Sequence, residues 1–317
     1  MRRTMGFALF SLGLVLIFLA PLARFYVTPR VKKIPTDFYF REVATGTGTY
    51  LNPGANFAVV GPVPVQNVTI QKGNPQDSTK TVAVWDQFTS LFDTQNKHEI
   101  TYAIDRLTLR RKDGVSVNCC GQNVNRTGSL TALFPIGTKK ESYDFWDSNA
   151  MKGYPAAYAG TTTLDGLSVY RFHQHIPALQ IKTINLPGKL VGEPDQAAVH
   201  LLWMYTTDTD IYVEPVTGGV VRGVQHADQW LTDLTGVRRL TVAKIDAGWD
   251  PATIKDAVDT ATAQKKQLQL ISTGLPVGAP IVGIILIVLA IWLLSRPARR
   301  VPATTPDANT EAAPAAG

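Results

Sequence analysis

Cysteine is nearly absent from this chain. Its 317 residues contain two, and they are adjacent: Cys119 and Cys120. So few thiols exclude a disulfide scaffold and a zinc site built from several thiolates. Catalytic signatures are missing as well. There is no G-x-S-x-G elbow, no S-x-x-K, no H-E-x-x-H, no Walker A loop and no G-x-G-x-x-G turn. Gly137-Thr138-Lys139 lacks the upstream glycines of a phosphate loop. No set of residues offers a nucleophile, a base and an oxyanion site together. The sequence predicts neither an enzyme nor a cofactor. Charge is also sparse, at 18%. The net +6 is uneven, because residues 25–272 hold 25 Lys+Arg against 23 Asp+Glu. A nucleic-acid binder concentrates positive charge on its folded domain, so no nucleic-acid partner is expected.

What the chain does have is apolar length at both ends. Thr4–Ala23 carries no charge between Arg3 and Arg24, and Leu275–Leu294 is a second such run, followed by Arg296, Arg299 and Arg300. At about 1.5 Å per residue, each run matches the ~30 Å hydrocarbon core of a bilayer. A cleaved signal peptide needs small residues at −3 and −1. Cutting after Ala23 would put Pro21 at −3, and cutting after Leu22 would put leucine at −1, so an uncleaved anchor is expected. The arginines after the second run place that end in the cytoplasm. The expected organisation is a cytoplasmic N-terminus at 1–3, a membrane helix at 4–23, an extracytoplasmic domain at 24–272, a second membrane helix at 273–295, and a disordered cytoplasmic tail at 296–317. Membrane lipids are expected partners.

The middle of the chain reads as mainly β, a β-rich α+β domain flanked by two transmembrane α-helices. Turn signals recur between short β-rich runs. In GTTTLDGLSVYRFHQHI, Asp165-Gly166 has the chemistry of a two-residue hairpin turn. IYVEPVTGGVVRGV folds back around Glu214–Gly219. In HEITYAIDRLTLRRKDGVSVN, the apolar alternation changes parity between Ile104 and Leu107, which predicts a bulge or bend. One helix is expected before the second span. Asp250 is its cap, Pro251 its first residue, and Ile254, Val258, Ala261, Leu268 and Ile271 form a stripe interrupted at Lys265.

Few residues suggest a site. Outside a membrane, Cys119 and Cys120 meet oxidising conditions and are candidates for a structural disulfide. Neighbouring Cα atoms lie ~3.8 Å apart, below the usual disulfide range of ~4.4–6.8 Å. A turn clasp, buried thiols or intermolecular bonds, and a redox switch are all open to them. His173 and His175, two apart on a strand, share a face. Asp208 and Asp210 resemble half of an oxygen-ligand loop, without the spacing or glycine of an EF-hand. These four are weak metal candidates, and no metal is expected. Aromatics are plentiful: Trp85, Phe88, Phe92, Phe134, Tyr143, Phe145, Trp146, Tyr154, Tyr158, Tyr170 and Phe172 suit either a core or a lined lipid pocket.

Four stretches carry a resemblance. They are Gly46–Pro53 (GTGTYLNP), Phe134–Asp147 (FPIGTKKESYDFWD), Gly166–Phe172 (GLSVYRF) and Tyr212–Gly218 (YVEPVTG). With both spans in place, the chain resembles the PorA-like porin family of actinobacteria. The resemblance implies a non-enzymatic cell-envelope protein, with a channel-forming role proposed for part of the family, and it brings no catalytic residues. Outer-membrane barrels have no apolar helices, and two helices cannot enclose a wide aqueous pore. A homo-oligomer, or a conduit within the domain, would be needed to pass a lipid or small-solute ligand. The competing expectation is a structural or signalling protein whose domain binds a protein or glycan.

Overall fold

The computed structural model describes residues 2–295, so the expected tail at 296–317 lies outside the described residues. In chain order the helices are α1 (Arg2–Leu22), α2 (Thr28–Val31), α3 (Pro251–Gln269) and α4 (Leu275–Ser295). Ten strands lie between α2 and α3: β1 (Tyr39–Asn52), β2 (Ala58–Gly73), β3 (Val82–Asp93), β4 (His98–Arg110), β5 (Tyr143–Asp147), β6 (Lys152–Leu164), β7 (Leu167–Leu186), β8 (Val199–Val213), β9 (Val220–Thr232) and β10 (Arg238–Trp249). The segments up to Tyr26 and from Ser272 form one compact unit, and Val27–Ile271 forms another.

In the helical unit, α1 and α4 are apolar and long enough to cross a membrane. Most of their large apolar side chains are exposed, Phe18 and Val288 among them. The buried positions are small. Gly6, Gly13 and Ala20 recur at seven-residue intervals on α1, as do Gly283 and Ala290 on α4. A repeat of 3.5 residues keeps one face of each helix on the other. Small residues there let backbones approach closely where no hydrophobic effect drives association. A Cβ added to Gly283 would sit 2.7 Å from the Gly13 carbonyl oxygen, and one added to Gly13 would sit 2.7 Å from that of Gly283.

The second unit is one antiparallel sheet of ten strands, in the order β4-β3-β2-β1-β10-β9-β8-β7-β6-β5. It is curled into a half-barrel. Two meanders are joined where the first strand pairs with the last, with Ala44 opposite Trp249 and Tyr50 opposite Ala243. That leaves β4 and β5 as edges. The chain between them, residues 111–142, serves both. Val115 and Val117 exchange backbone bonds with β4 (Arg110 N–H to Val115 O, 2.9 Å; Val117 N–H to Thr108 O, 3.0 Å), while Leu130 bonds β5 through Asp144 and Trp146, each at 2.8 Å. Unpaired edge groups are thereby covered. The buried Arg126 guanidinium spans the gap. It pairs with Asp105 of β4 at 2.8 Å and lies 5.7 Å from the ring centroid of Trp146 on β5.

Several expected elements are present. Leu164 pairs with Leu167, and Asp165 and Gly166 have φ of 45° and 81° as the tight turn requires. Asp250 accepts from the Thr253 N–H at 2.7 Å and caps α3. The bend between Ile104 and Leu107 does not exist. Pairing with β3 runs unbroken from Phe88–Ile104 to Trp85–Leu107, and the register shifts only at Leu91/Phe92. The parity changes because the two halves of β4 put their apolar residues on opposite faces. Ile104 is 69% exposed on the outer face, and Leu107 is 3% exposed on the inner one.

Three tight turns are held by carboxylates. Asp93 is fully buried and accepts from the Tyr50 hydroxyl (3.0 Å) and from the backbone N–H groups of Gln95 and Asn96 (both 2.9 Å). Asp147 accepts from the Tyr205 hydroxyl at 2.8 Å. Asp233 accepts from the Thr235 and Val237 N–H groups and from Arg239 at 2.7 Å. For Asp93, the hydrogen bonds outweigh a burial penalty that acts the other way, and its pKa lies below the ordinary value. The Thr235 hydroxyl, the backbone donors and Arg239 hold Asp233 well below it. A carboxylate depressed in the folded state stabilises it above the unfolded pKa of about 3.9, and this is lost as pH falls through the folded value. The thermal midpoint should therefore decline below about pH 4. Asp93→Asn with Asp233→Asn should lower the midpoint at pH 7 and flatten that acid limb. An acid limb as steep as in the parent would contradict the assignment.

Candidate functional site: a cavity on the inner face of the sheet

Directly paired residues share a face of a sheet, which fixes what the concave side presents. Phe40 pairs with Gln71 and Gln71 with Gln87, while Glu42 pairs with Thr69 and Thr69 with Thr89. Trp249 follows on the next strand, opposite Ala44. Over this face lies α3, whose buried Ala257, Val258 and Ala261 pack with Val169, Val221, Phe40 and Trp249. The fit does not fill the space. A cavity of about 570 Å³ remains between the sheet, α3 and the segment around Thr131–Ile136.

Five aromatic side chains stand in its walls: Phe38, Phe40, Trp85, Phe145 and Trp249. Phe38 stacks on Trp85 with centroids 4.3 Å apart, and Phe40 meets Trp249 at 5.7 Å. The Trp85 indole donates to the Pro35 carbonyl at 3.0 Å, which fixes the ring. A polar strip crosses the apolar wall. The Gln71 amide donates to Gln87 at 2.9 Å, and the Thr69 and Thr89 hydroxyls lie 3.3 Å apart. Thr209, also on the wall, has a buried hydroxyl without a hydrogen-bond partner. Glu42 opens into the same space. Burial away from water raises its pKa to about 7, and a hydrogen bond with Trp249 offsets part of that. Perturbed acids in clefts mark functional sites.

Most of the residues singled out in the sequence fall elsewhere. Among the aromatics, Trp85 and Phe145 line the cavity. Phe134, Phe172, Tyr143 and Tyr158 build the adjoining core, and Phe88 and Phe92 are exposed. Phe38, Phe40, Glu42 and Trp249 were not picked out from the sequence: the first three alternate around the start of β1, but nothing local ties them to Trp249 at the end of β10. Register puts His173 opposite Asp210 and His175 opposite Asp208. Each pair is hydrogen-bonded through Nδ1, at 3.0 and 2.8 Å, and Arg171 grips Asp210 with two further bonds of 2.9 and 3.0 Å. The row continues across the sheet, where Asp208 faces His226 and His226 bonds Asp246 at 2.9 Å. These side chains occupy the outer face, away from the cavity. Among the described residues no group of three or more His, Cys, Asp or Glu is placed to hold a metal ion.

Cys119 and Cys120 lie in the segment that bridges the sheet edges, with their sulfurs paired and Cα atoms 3.8 Å apart. Cys120 and Gly121 both have positive φ, of 59° and 76°, so the pair forms a turn. The turn sits against β4: Arg106 donates to the Cys120 carbonyl at 3.5 Å. The Asn123 side chain takes the Arg106 N–H and gives to the Ile104 carbonyl at 3.0 and 2.9 Å, satisfying edge groups of that strand.

Two apolar terminal helices and a curled sheet around an apolar cavity define a membrane-anchored β-sheet protein. The profile of the family described as Porin PorA matches residues 5–292, and the chain belongs to that family. It is similar to Porin PorA of Corynebacterium amycolatum, with 22% identity over 389 residues covering 94% of this chain and 100% of the relative. It is also similar to Porin PorA of Corynebacterium resistens, with 32% identity over 102 residues covering 27% of this chain and 25% of the relative. The resemblance read from the four stretches is thus a family relationship. Membership and the two apolar helices place the protein in the membrane of the cell envelope, in a family of porins rather than of enzymes.

Proposed function

We propose that this porin-family member binds an apolar or small solute in the cavity of its sheet domain and holds or passes it within the envelope. In this reading residues 24–272 lie outside the membrane, both termini lie in the cytoplasm, and lipids surround α1 and α4. The observation that supports it is the mostly apolar space under α3, with five aromatic side chains in its lining, of the size and lining typical of small-molecule sites. Native mass spectrometry of the full-length chain, released gently from membranes, tests it. A defined adduct of lipid or small-solute mass on each monomer is the expected result. A bare, discrete homo-oligomer would point to a channel formed by assembly. A bare monomer would count against both.

A second reading, as a partner-binding envelope protein, draws on the outer face of β3 and β4. Phe88 pairs with Ile104 there and Ser90 with Tyr102, and the three large apolar side chains are exposed. It predicts a stable protein complex and no adduct. The cysteine pair is read as a structural clasp of the bridging segment. A thiol count on denatured, unreduced protein should find none, and two free thiols would remove the clasp.

A further inference from the structure

We propose that the cavity selects a solute with a cationic ammonium head, held by the Glu42 carboxylate, and an apolar body, packed among Phe38, Phe40 and Trp85. The proposal rests on the reading of the cavity as a solute site and adds the chemical class. It starts from the isolation of one carboxyl group. Of the described residues that line the cavity, Glu42 and Lys33 alone are charged. Glu42 responds to burial and to the Trp249 indole, with no contribution from a neighbouring cation. Its neighbours on the sheet are neutral, Thr69 as its pairing partner on β2 and Trp249 of β10 as its hydrogen-bond partner, and the α3 residues that line the same cavity carry no charge. A carboxyl group in such a place is costly to ionise until a counter-charge arrives.

The surroundings suit a cation. The rings of Phe40 and Trp249 stand beside Glu42 on the same wall, and the negative face of an aromatic ring attracts an ammonium group. An anionic head would meet Glu42 with like charge. A solute without a charged head would leave the carboxyl unpaired, so it gains nothing from ionising it. The aromatic stack of Phe38 and Trp85 then takes the apolar remainder of the molecule.

This selection depends on pH in a defined direction. Glu42 of the free cavity gains its proton below about pH 7 and loses its attraction for a cation. Binding of an ammonium solute should therefore strengthen from pH 5.5 to pH 8, and ammonium binding should in turn draw the Glu42 pKa down. An alkylammonium group stays charged throughout this range, so the change belongs to the protein.

The test uses the full-length chain in phosphatidylcholine nanodiscs. Three probes with one tail, n-octylammonium, octanol and octanoate, are titrated by calorimetry, with empty nanodiscs subtracted. At pH 8 n-octylammonium should bind at a single site about ten-fold tighter than octanol, with octanoate weakest. The advantage should be lost at pH 5.5 and in Glu42→Gln, with the variant's thermal melt confirming that it folds. Equal affinity for octanol and n-octylammonium at pH 8, or an undiminished preference in folded Glu42→Gln, overturns the proposal and leaves the solute site standing. Failure of all three probes to bind overturns the solute site and the proposal together.

Discussion

Lys265→Met should destabilise the sheet domain by about 3–5 kcal/mol, the cost of removing one partner from a buried ion pair. Glu214 opens the turn between β8 and β9 and is fully buried, at 0% exposure. Its Oε2 accepts from the Thr217 N–H at 2.8 Å. Its Oε1 has only Lys265 Nζ, 3.2 Å away, in ion-pair rather than hydrogen-bond geometry. Without the ammonium, the Glu214 Oε1 remains buried with no counter-charge. Lys265 is itself partly exposed, so the loss should fall toward the lower end of the range. The turn cannot adjust. Gly218 has a φ of 77°, and a Cβ there would lie within bonding range of the Phe134 carbonyl, so this backbone is closely packed on the segment that bridges the sheet edges. Adding Glu214→Gln should recover much of the loss, because the amide oxygen still accepts from Thr217 and carries no charge. Denaturant midpoints of the three variants make the measurement. A Lys265→Met variant within 0.5 kcal/mol of the parent would show that the pair holds nothing.

Lys265 also illustrates what the sequence conveys and what it does not. In the pattern it is a break in the apolar stripe of α3. In the structure it is the residue that ties the helix to Glu214, at a turn 51 positions earlier. Local chemistry was legible: the Asp250 cap, the Asp165-Gly166 turn and the fold-back at Glu214–Gly219 each depend on neighbours in sequence. The spans were legible because a bilayer imposes length and composition on a helix. The pairing of β1 with β10 was not, since Ala44 and Trp249 share no local signal. The cavity depends on that pairing. Without it Glu42 and Trp249 stand on different strands with nothing to bring them together. The apparent bend in β4 failed for a related reason. Alternation reports which residues are apolar, and only the three-dimensional sheet decides which face at each point is wet.

The second large effect is expected at the helix crossing, where Gly283→Leu should separate α1 from α4. The added side chain meets atoms it cannot displace. Its Cβ alone would lie 2.7 Å from the Gly13 carbonyl oxygen, 3.0 Å from Ile17 Cγ1 and 3.3 Å from Leu16 Cβ. Overpacking a tight contact costs about 1–3 kcal/mol when neighbours can shift. Here one neighbour is backbone, so relief requires moving a whole helix. In lipid little holds the pair beyond close packing, and lipid can refill the gap. A crosslink reports the outcome. A Cβ on Gly6 would sit 2.8 Å from Leu294 Cγ, so Gly6→Cys with Leu294→Cys should join under mild oxidation, in a background of Cys119→Ser and Cys120→Ser. Gly283→Leu should reduce the crosslinked fraction several-fold. Ile284→Leu, at a site 55% exposed on the lipid-facing side, should leave it unchanged. Equal crosslinking in both would mean that the helices are held by something other than the glycine contact. A loss in Gly283→Leu alone would assign the pairing to the seven-residue repeat of small residues.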